Sequence, residues 1–256
     1  MSESIRAVER ALDVLMCFTN QTPELTMTQI SEMVGINKST VHRLLATLER
    51  RHFLKRDQVT GVYRPGIRFI QLAFLTMEHN DLRSLASPFL KILCEQYCEN
   101  VNLSVLDDID VIYLEIVEGS QRVKLAAAPG QRLPAFCTAS GKAILAFLPE
   151  AKLREILARG MPKLTKNTLT SIEAYFEDVR HTREHGYAIS EQEFEDEINA
   201  IAAPICNHPI ASVSIAGPAY RLTRERMIEI GPTLVAAANN IAREVEFSTN
   251  LEQFLT

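Results

Sequence analysis

Residues 26–51 carry the pattern of two short helices joined by a tight turn. Thr26 and Gln29 fit a T-x-x-Q capping box, in which the hydroxyl caps the Gln29 amide and the glutamine side chain returns to the cap. Gly35 can end the first helix, because glycine adopts the positive φ of a helix end without steric cost. Asn37 is a good N-cap for the second helix. The side chains predicted to turn inward are Ile30, Met33 and Val34 on the first helix and Val41, Leu44, Leu45 and Leu48 on the second.

The outward face of the second helix and the segment after it are basic. Residues 38–68 hold eight basic and two acidic side chains, although the whole chain has a formal net charge of -5. Two short strands around the turn Asp57–Gly61 predict a hairpin over residues 54–64. A polar, basic second helix followed by a basic hairpin is typical of a winged helix-turn-helix that enters the major groove of DNA. The candidate contacts to double-stranded DNA are Thr28, Lys38, Ser39, Thr40, His42, Arg43, Arg50, Lys55, Arg56 and Arg64.

Two further helices flank this motif. Residues 4–18 have the apolar spacing of an amphipathic helix, and residues 67–78 are apolar on more than one helical face. A helix that is apolar nearly all round must be buried on several sides. We therefore expect the second of these helices to pack on a neighbour, in particular on a second chain.

The chain from residue 81 onward mixes helices and strands without regular βαβ spacing, which favours an α+β domain over a doubly wound one. Strands are predicted over 101–106, 111–117, 123–127 and 210–215. Helices are predicted from Ser87–Pro88 to Tyr97, with proline in the first turn, and over 138–148, 151–157 and 171–184. A long helix over 224–245 is predicted to be interrupted near Gly231 and Pro232.

Composition argues against several other classes of protein. No stretch approaches the roughly 18 apolar residues of a membrane span, and the N-terminus lacks the apolar core of a signal peptide. We expect a cytoplasmic protein without membrane contact and without a cofactor. The number of cysteines is odd, and only Cys94 and Cys98 have a spacing that weakly suggests a metal site. We therefore expect the cysteines to be small buried apolar side chains in a reducing compartment. They are Cys17, Cys94, Cys98, Cys137 and Cys206.

One enzymatic motif has to be weighed. The residues from His181 to His185 match the H-x-x-E-H zinc motif, which would place two imidazoles on one helix face with Glu184 as a base. Gly186 follows directly and no motif supplies a third ligand, so surface histidines near a helix C-terminus are favoured. A metal-dependent hydrolase with an accessory DNA-binding domain stays open as the alternative. The acidic cluster over residues 191–197 is expected to be a solvated loop.

The chain resembles the IclR family of bacterial transcription regulators. The resemblance is carried by SIRAVERALDVL, LTMTQISEMVGINKSTVHRLLATLERRHFL and YRPGIRFIQLA, and by LPAFCTASGKAILAFLP, REHGYAISEQEFE and IAAPICNHPIASVSIAGP. It implies an α+β two-domain fold: a winged helix-turn-helix over residues 1–65, a linker helix over 66–80 and a GAF-like α/β effector-binding domain over 81–256. It also implies homodimers or homotetramers on a palindromic operator, and small anionic effectors such as organic, sugar or aromatic acids.

The same resemblance implies an effector pocket between the loop at 133–141 and the late strand near 212–216. The family's ligand contacts correspond to Ala139, Ser140, Ser190, Ile198, Ala200 and Ser214. Backbone amides where the helix opens, near Ser140, can hold a carboxylate, and Ser214 can donate a hydroxyl to it. The opposing interpretations are a helix cap for Ser140 and a solvent-facing hydroxyl for Ser214.

This chain departs from the family pattern at three pocket positions. Ala216 and Ala200 stand where some members have polar side chains, and Glu197 stands where glycine is usual. The resemblance therefore implies a less polar or differently shaped pocket here. A regulator that takes no ligand remains a third possibility.

Overall fold

The computed structural model describes residues 5–19, 21–78, 81–205 and 211–255, and the chain divides into two compact units, residues 1–79 and 80–256. The predicted α+β class, with a helix-turn-helix in the first part of the chain, is confirmed. The elements of the first unit are α1 (Arg6–Met16), α2 (Met27–Val34), α3 (Lys38–Arg50), β1 (Leu54–Arg56), β2 (Tyr63–Pro65) and α4 (Ile67–Glu78).

Local hydrogen bonds define both helices of the predicted motif. Thr26 and Gln29 form the capping box at the start of α2, and Gly35 ends α2 with φ +64°. Asn37 accepts a hydrogen bond from the backbone N–H of Thr40 through Oδ1, at 2.9 Å, and so caps α3. The strands β1 and β2 pair in antiparallel register, and we call residues 54–65 the wing.

The core of the first unit lies among α1, α2, α3 and the wing. Its buried members are Val14, Cys17, Leu25, Ile30, Val41, Leu45, Leu48, Leu54 and Tyr63. Met33, which was predicted to face inward, is instead 54% exposed. The short α2 therefore buries a narrower stripe than its sequence suggested.

Two helices of this unit expose large apolar side chains. On α1 these include Leu12 and Met16, and on α4 they include Ile67, Ile70 and Leu75. Packing of α4 on a second chain stays a prediction.

The second unit is built on one antiparallel six-stranded sheet of order β5-β4-β3-β8-β7-β6. Its strands are β3 (Asn100–Asp107), β4 (Asp110–Val117), β5 (Arg132–Pro134), β6 (Ala188–Glu191), β7 (Ile198–Ile205) and β8 (Ala211–Pro218). Its helices are α5 (Asp81–Tyr97), α6 (Ala139–Leu145), α7 (Glu150–Leu157), α8 (Ile172–His185) and α9 (Arg224–Leu255).

The two faces of this sheet differ in chemistry because side chains alternate along each strand. On β3, Val101 and Leu103 join the apolar cluster that includes residues of α5 and α9. The alternate residues Asn102 and Ser104 lie on the opposite face, and Ser104 forms a hydrogen bond with the side chain of Ser140 on α6. The face toward α6 is therefore partly polar, although it is buried.

The strand predicted over 123–127 is absent, and this prediction was wrong. The segment joins β4 to β5 without strand pairing, and two of its carbonyl groups accept hydrogen bonds from side chains. Arg221 donates to the carbonyl of Val123 at 2.6 Å, and Asn100 donates to that of Leu125 at 3.1 Å. Side-chain donors thus replace the neighbouring strand that the alternation suggested.

Both predictions based on proline were also wrong. Helix α5 begins at Asp81, so Pro88 lies inside it. Its neighbours Ala86 and Leu90 are fully buried, and we infer that this packing outweighs the roughly 3 kcal/mol that an interior proline costs. Helix α9 also runs through Pro232 without a break.

Strand β7 was not predicted from the sequence. The residues on both faces of β7 are nearly all apolar or small. This strand pairs with β6 and β8 along its two edges, and it packs against α6 and α9. A strand covered on both faces lacks the polar–apolar alternation by which half-buried strands are found.

Candidate functional site

The ten predicted DNA contacts all lie in the first unit, on α2, α3 and the wing. Nine of them are exposed, and Thr40 is half-buried. Lys38, His42 and Arg43 project from the first turns of α3, where a recognition helix meets base edges. The structure therefore brings these residues together on accessible elements of one unit.

Some of these side chains already have partners in the protein. Ser39 donates its hydroxyl hydrogen to Asn37 Oδ1 at 2.8 Å, so it belongs to the N-cap of α3. In the wing, the Arg56 guanidinium lies 5.7 Å from the ring centre of Tyr63. Arg64 approaches Glu24 at 3.8 Å, an exposed pair of the kind that contributes little to stability.

The turn of the wing is also fixed by a side chain. Asp57 Oδ1 accepts hydrogen bonds from the backbone N–H groups of Val59 and Thr60, at 2.9 and 2.8 Å. These bonds lower the pKa of the Asp57 carboxyl. The wing is thus held in shape by local contacts.

The second unit contains a cavity of about 240 Å³. All six residues predicted to contact a ligand line it, namely Ala139, Ser140, Ser190, Ile198, Ala200 and Ser214. The further lining residues include Leu133, Thr138 and Ala216, which lie in the segments expected to form the pocket. Those not predicted from the sequence are Tyr113, Lys124, Leu125, Ala126, Ala127, Gln131, Phe194 and Glu195. Four of these come from the segment that was mistaken for a strand.

The serines of the cavity have different hydrogen-bond roles. Ser214 Oγ accepts from the side-chain amide of Asn102 at 3.3 Å, and Ser140 Oγ accepts from the Ser104 hydroxyl at 3.2 Å. Ser190 donates to the carbonyl of Cys137 at 2.9 Å. The first two hydroxyls are acceptors toward the protein, whereas the third is a donor.

Both opposing interpretations of the cavity serines are wrong. Thr138, and not Ser140, caps α6, because its Oγ1 accepts from the backbone N–H of Gly141 at 3.2 Å. Ser214 is buried and faces the cavity, and so it does not face solvent.

Burial controls the ionisation of groups near the cavity. It raises the pKa of the Tyr113 phenol to about 12 and, as the main cause, that of the Cys137 thiol to about 12 as well. Both groups therefore stay protonated at neutral pH. The charged side chains that line the cavity are Lys124, which pairs with Glu118, and the exposed Glu195.

A buried ion pair lies behind the cavity wall, which corrects the expectation that residues 191–197 form a wholly solvated loop. Lys142 Nζ lies 2.5 Å from Glu193 Oε1 and 3.2 Å from Asp178 Oδ2, and its side chain is 2% exposed. It also donates to the carbonyl of Ile189 at 2.6 Å. Desolvation raises the pKa of Glu193 in spite of the opposing effect of Lys142. Phe194, the next residue, lines the cavity.

The backbone of this loop is strained at the position where the resemblance implies that glycine is usual. Glu197 has φ +64°, a left-handed conformation that non-glycine residues rarely adopt. Its N–H donates to Gln192 Oε1 at 3.1 Å, and its carbonyl accepts from the N–H of Ala219 at 2.7 Å. These contacts stabilise the conformation of Glu197 directly before the start of β7.

The H-x-x-E-H residues lie at the exposed end of α8. The rings of His181 and His185 stack with centroids 4.1 Å apart, and His185 Nδ1 lies 2.9 Å from the His181 carbonyl oxygen. Gly186 then ends the helix in a left-handed conformation. In the part of the chain that the structure describes, no group of three or more His, Cys, Asp or Glu side chains could hold a metal ion.

The cysteines among the described residues also form no cluster of that kind. Cys17, Cys94 and Cys137 are buried, and Cys98 is partly exposed. Cys206 lies outside the described residues. No helix within the described ranges is long and apolar enough to cross a membrane.

Comparison with known proteins covers nearly the whole chain. Residues 74–243 match the family profile for the C-terminal part of the bacterial transcriptional regulator IclR, and residues 7–58 match the IclR helix-turn-helix domain. The chain is 31% identical to the HTH-type transcriptional regulator KipR of Bacillus subtilis, over 97% of this chain and 100% of KipR.

Two solved structures are similar throughout. The IclR transcriptional regulator from Alicyclobacillus acidocaldarius is 28% identical with a TM-score of 0.84, over 94% of this chain and 99% of that one. An IclR homolog from Microbacterium hydrocarbonoxydans, solved in complex with 4-hydroxybenzoate, is 26% identical with a TM-score of 0.80, over 93% and 99% of the two chains.

Proposed function

Because the chain belongs to the IclR family of bacterial transcriptional regulators, we propose that α3 and the wing bind an operator and that the cavity of the second unit binds a small anionic effector. The chain is a DNA-binding transcriptional regulator and not an enzyme. The metal-dependent hydrolase considered above is therefore set aside.

The observation that carries the proposal is the set of nine exposed polar and basic side chains on α2, α3 and the wing. In this proposal Lys38 and Arg43 contact base edges or phosphates from the start of α3. Lys55, Arg56 and Arg64 contact the flanking phosphates, which supply affinity without sequence choice.

The effector is proposed to be a small organic, sugar or aromatic acid. A volume of about 240 Å³ lies below the range of drug-sized pockets, which suits a small metabolite. Tyr113 and Phe194 in the walls suit a flat ring, and the relative solved with 4-hydroxybenzoate supports an aromatic acid. Ser140 and Ser214 supply hydroxyl groups for the acid.

The remaining parts of the proposal concern assembly. Residues 1–65 would read the operator of a catabolic operon, 66–80 would pair subunits, and 81–256 would sense the effector in the cytoplasm. Homodimers or homotetramers would match a palindromic operator, because two-fold protein symmetry is mirrored by half-sites on DNA. The effector would act by binding one arrangement of the paired subunits better than another, since only differential affinity shifts such an equilibrium.

A salt series with DNA from upstream of its own gene tests the DNA-binding part. We expect preference over scrambled DNA and a steep loss of affinity with added salt. Lys38→Ala and Arg43→Ala should each cost roughly 1–3 kcal/mol of binding free energy. Arg180→Ala, an exposed arginine of the second unit, is the matched control and should leave binding unchanged. Equal losses in all three variants would contradict the assigned interface.

Titration of small organic acids into the protein–operator complex tests the effector part. We expect at least one acid to change operator affinity, and Ser214→Ala to weaken that response while leaving effector-free DNA binding intact. A protein that binds its operator but responds to no acid would support the regulator without a ligand.

A further inference from the structure

We propose that Asn102 and Ser104 on β3 orient the hydroxyl groups of Ser214 and Ser140, so that both serines present a hydrogen to one carboxylate of the effector. The inference rests on the proposed effector function of the cavity. Asn102 and Ser104 do not line the cavity, so they act as positioning residues.

The first pair joins β3 to β8. Asn102 lies directly opposite Ser214 in the antiparallel register, and its Nδ2 donates to Ser214 Oγ at 3.3 Å. Both side chains are buried, and only Ser214 reaches the cavity. A serine hydroxyl has one hydrogen and two lone pairs. With one lone pair engaged by Asn102, the hydrogen of Ser214 remains for a ligand.

The orientation of the Asn102 amide follows from its surroundings. In the structure its Oδ1 is a buried atom without a hydrogen-bond partner among the described residues. The reversed amide would place the NH2 group where Oδ1 lies and would make Ser214 the donor. Because unpaired buried N–H groups are rarer than under-satisfied oxygens, the orientation with Nδ2 toward Ser214 is favoured.

The second pair joins β3 to α6. Ser104 is fully buried and donates its hydroxyl hydrogen to Ser140 Oγ at 3.2 Å. Its cross-strand neighbour Ser212, also fully buried, donates instead to the backbone carbonyl of Ser140 at 3.2 Å. One neighbour therefore orients the Ser140 hydroxyl, whereas the other holds only the Ser140 backbone.

These two pairs leave the hydroxyl hydrogens of Ser140 and Ser214 available to a ligand in the cavity. Within the described residues, the structure records no protein acceptor for the hydroxyl hydrogen of Ser140 or Ser214. Ser190, by contrast, spends its hydrogen on the Cys137 carbonyl. Two donors at a buried site favour a carboxylate, which only accepts, over a carboxamide, whose NH2 group needs an acceptor.

The test compares acids with their amides on the full chain. The probes are benzoate with benzamide, 4-hydroxybenzoate with 4-hydroxybenzamide, and lactate with lactamide, each titrated by calorimetry. We expect the wild-type protein to bind an acid more tightly than its amide. Ser104→Ala should weaken acid binding by up to about tenfold, because the Ser140 hydroxyl is no longer held with its hydrogen toward the ligand. Amide binding should change little, because the released Ser140 hydroxyl can rotate to accept.

Ser212→Ala is the matched control, since it removes a buried hydroxyl beside the same serine and should leave the ratio of acid to amide affinity unchanged. Asn102→Leu is the second test variant, and it should lower that ratio through Ser214. If acids bind but Ser104→Ala and Ser212→Ala lower both affinities alike, the inference is wrong and the effector proposal stands. If no probe binds a protein that still binds its operator, the carboxylate class is wrong. The inference and the proposal of an anionic effector are then both contradicted.

Discussion

The two units place their candidate functional side chains in opposite environments. In the first unit nine of the ten candidate DNA contacts are exposed, and all ten lie within residues 28–64, on elements fixed by hydrogen bonds between near neighbours. In the second unit the cavity residues come from separate strands and α6, and buried pairs such as Asn102 with Ser214 join positions 112 residues apart. A surface that meets a large partner needs local stiffness, whereas a small-molecule cavity needs long-range assembly.

The difference predicts where single substitutions do most damage. The buried polar groups of the second unit depend on distant partners, and a lost partner leaves a desolvated charge. The polar groups of the first unit are mostly exposed, and water can replace a lost partner.

Among the substitutions, the largest expected effect comes from Lys142→Met. It leaves Glu193 buried without its cation and should destabilise the second unit by about 3 kcal/mol. Hydrogen exchange read by mass spectrometry in denaturant reports the two units separately. Lys152→Met is the control, because Lys152 forms an exposed pair with Glu155 and should cost less than about 1 kcal/mol. Similar losses of stability in both variants would contradict the expected difference between a buried and an exposed ion pair.

A rise to alkaline pH tests the same comparison without a substitution. The unfolded chain releases the protons of Cys137 and Tyr113 near their ordinary pKa values of 9.0 and 10.0, whereas the folded chain keeps them to about 12. The stability that these two protonated groups contribute is therefore fully present below about pH 9 and is lost toward pH 12. Each group lowers the free energy of unfolding by about 1.4 kcal/mol per pH unit between its unfolded and its folded pKa.

The same pH series sharpens the contrast between the units. In the first unit burial raises the pKa of Cys17 and Tyr63 by smaller amounts, so its peptides should lose protection later as the pH rises. Tyr113→Phe should flatten the decline of the second unit. An unchanged slope in that variant would show that the buried phenol is not responsible.

The smallest expected effect is that of Asn37→Ala. The substitution removes the acceptor for the Thr40 N–H and the Ser39 hydroxyl, and it should cost about 1 kcal/mol in the first unit only. Thr47→Ala on the same helix is the control, because alanine has the higher helix propensity and the Thr47 hydroxyl bonds only the Arg43 carbonyl. Loss of protection in the second unit after Asn37→Ala would contradict the local role of the cap.

The same contrast explains how much could be predicted from the sequence. The capping box, Gly35, the Asn37 cap and the wing were all predicted, since each depends on residues a few positions apart. The six cavity residues came from the family resemblance alone. No periodicity links Ser140 to Ser214, which meet only through the packing of α6 on β8.

The failed predictions have physical causes of the same kind. The segment Val123–Ala127 alternates like a strand, but Arg221 and Asn100 take its carbonyl groups. The prediction of a break in α9 took Gly231 as a helix breaker. A Cβ there would lie 2.3 Å from the Tyr187 ring, so this glycine serves a close packing contact inside the helix.

The pairing of β3 with β8 has a consequence for the order in which the chain acquires its properties during synthesis. Domains fold as units and the N-terminal one emerges first, so α3 and the wing can form while the second unit is still incomplete. The cavity cannot close until β8 has left the ribosome, because β8 supplies Ser214 and completes the sheet beside β3. Pairing across so long a loop is also intrinsically slow. Under the proposed function, a newly made chain would therefore acquire its DNA-binding surface before its effector cavity.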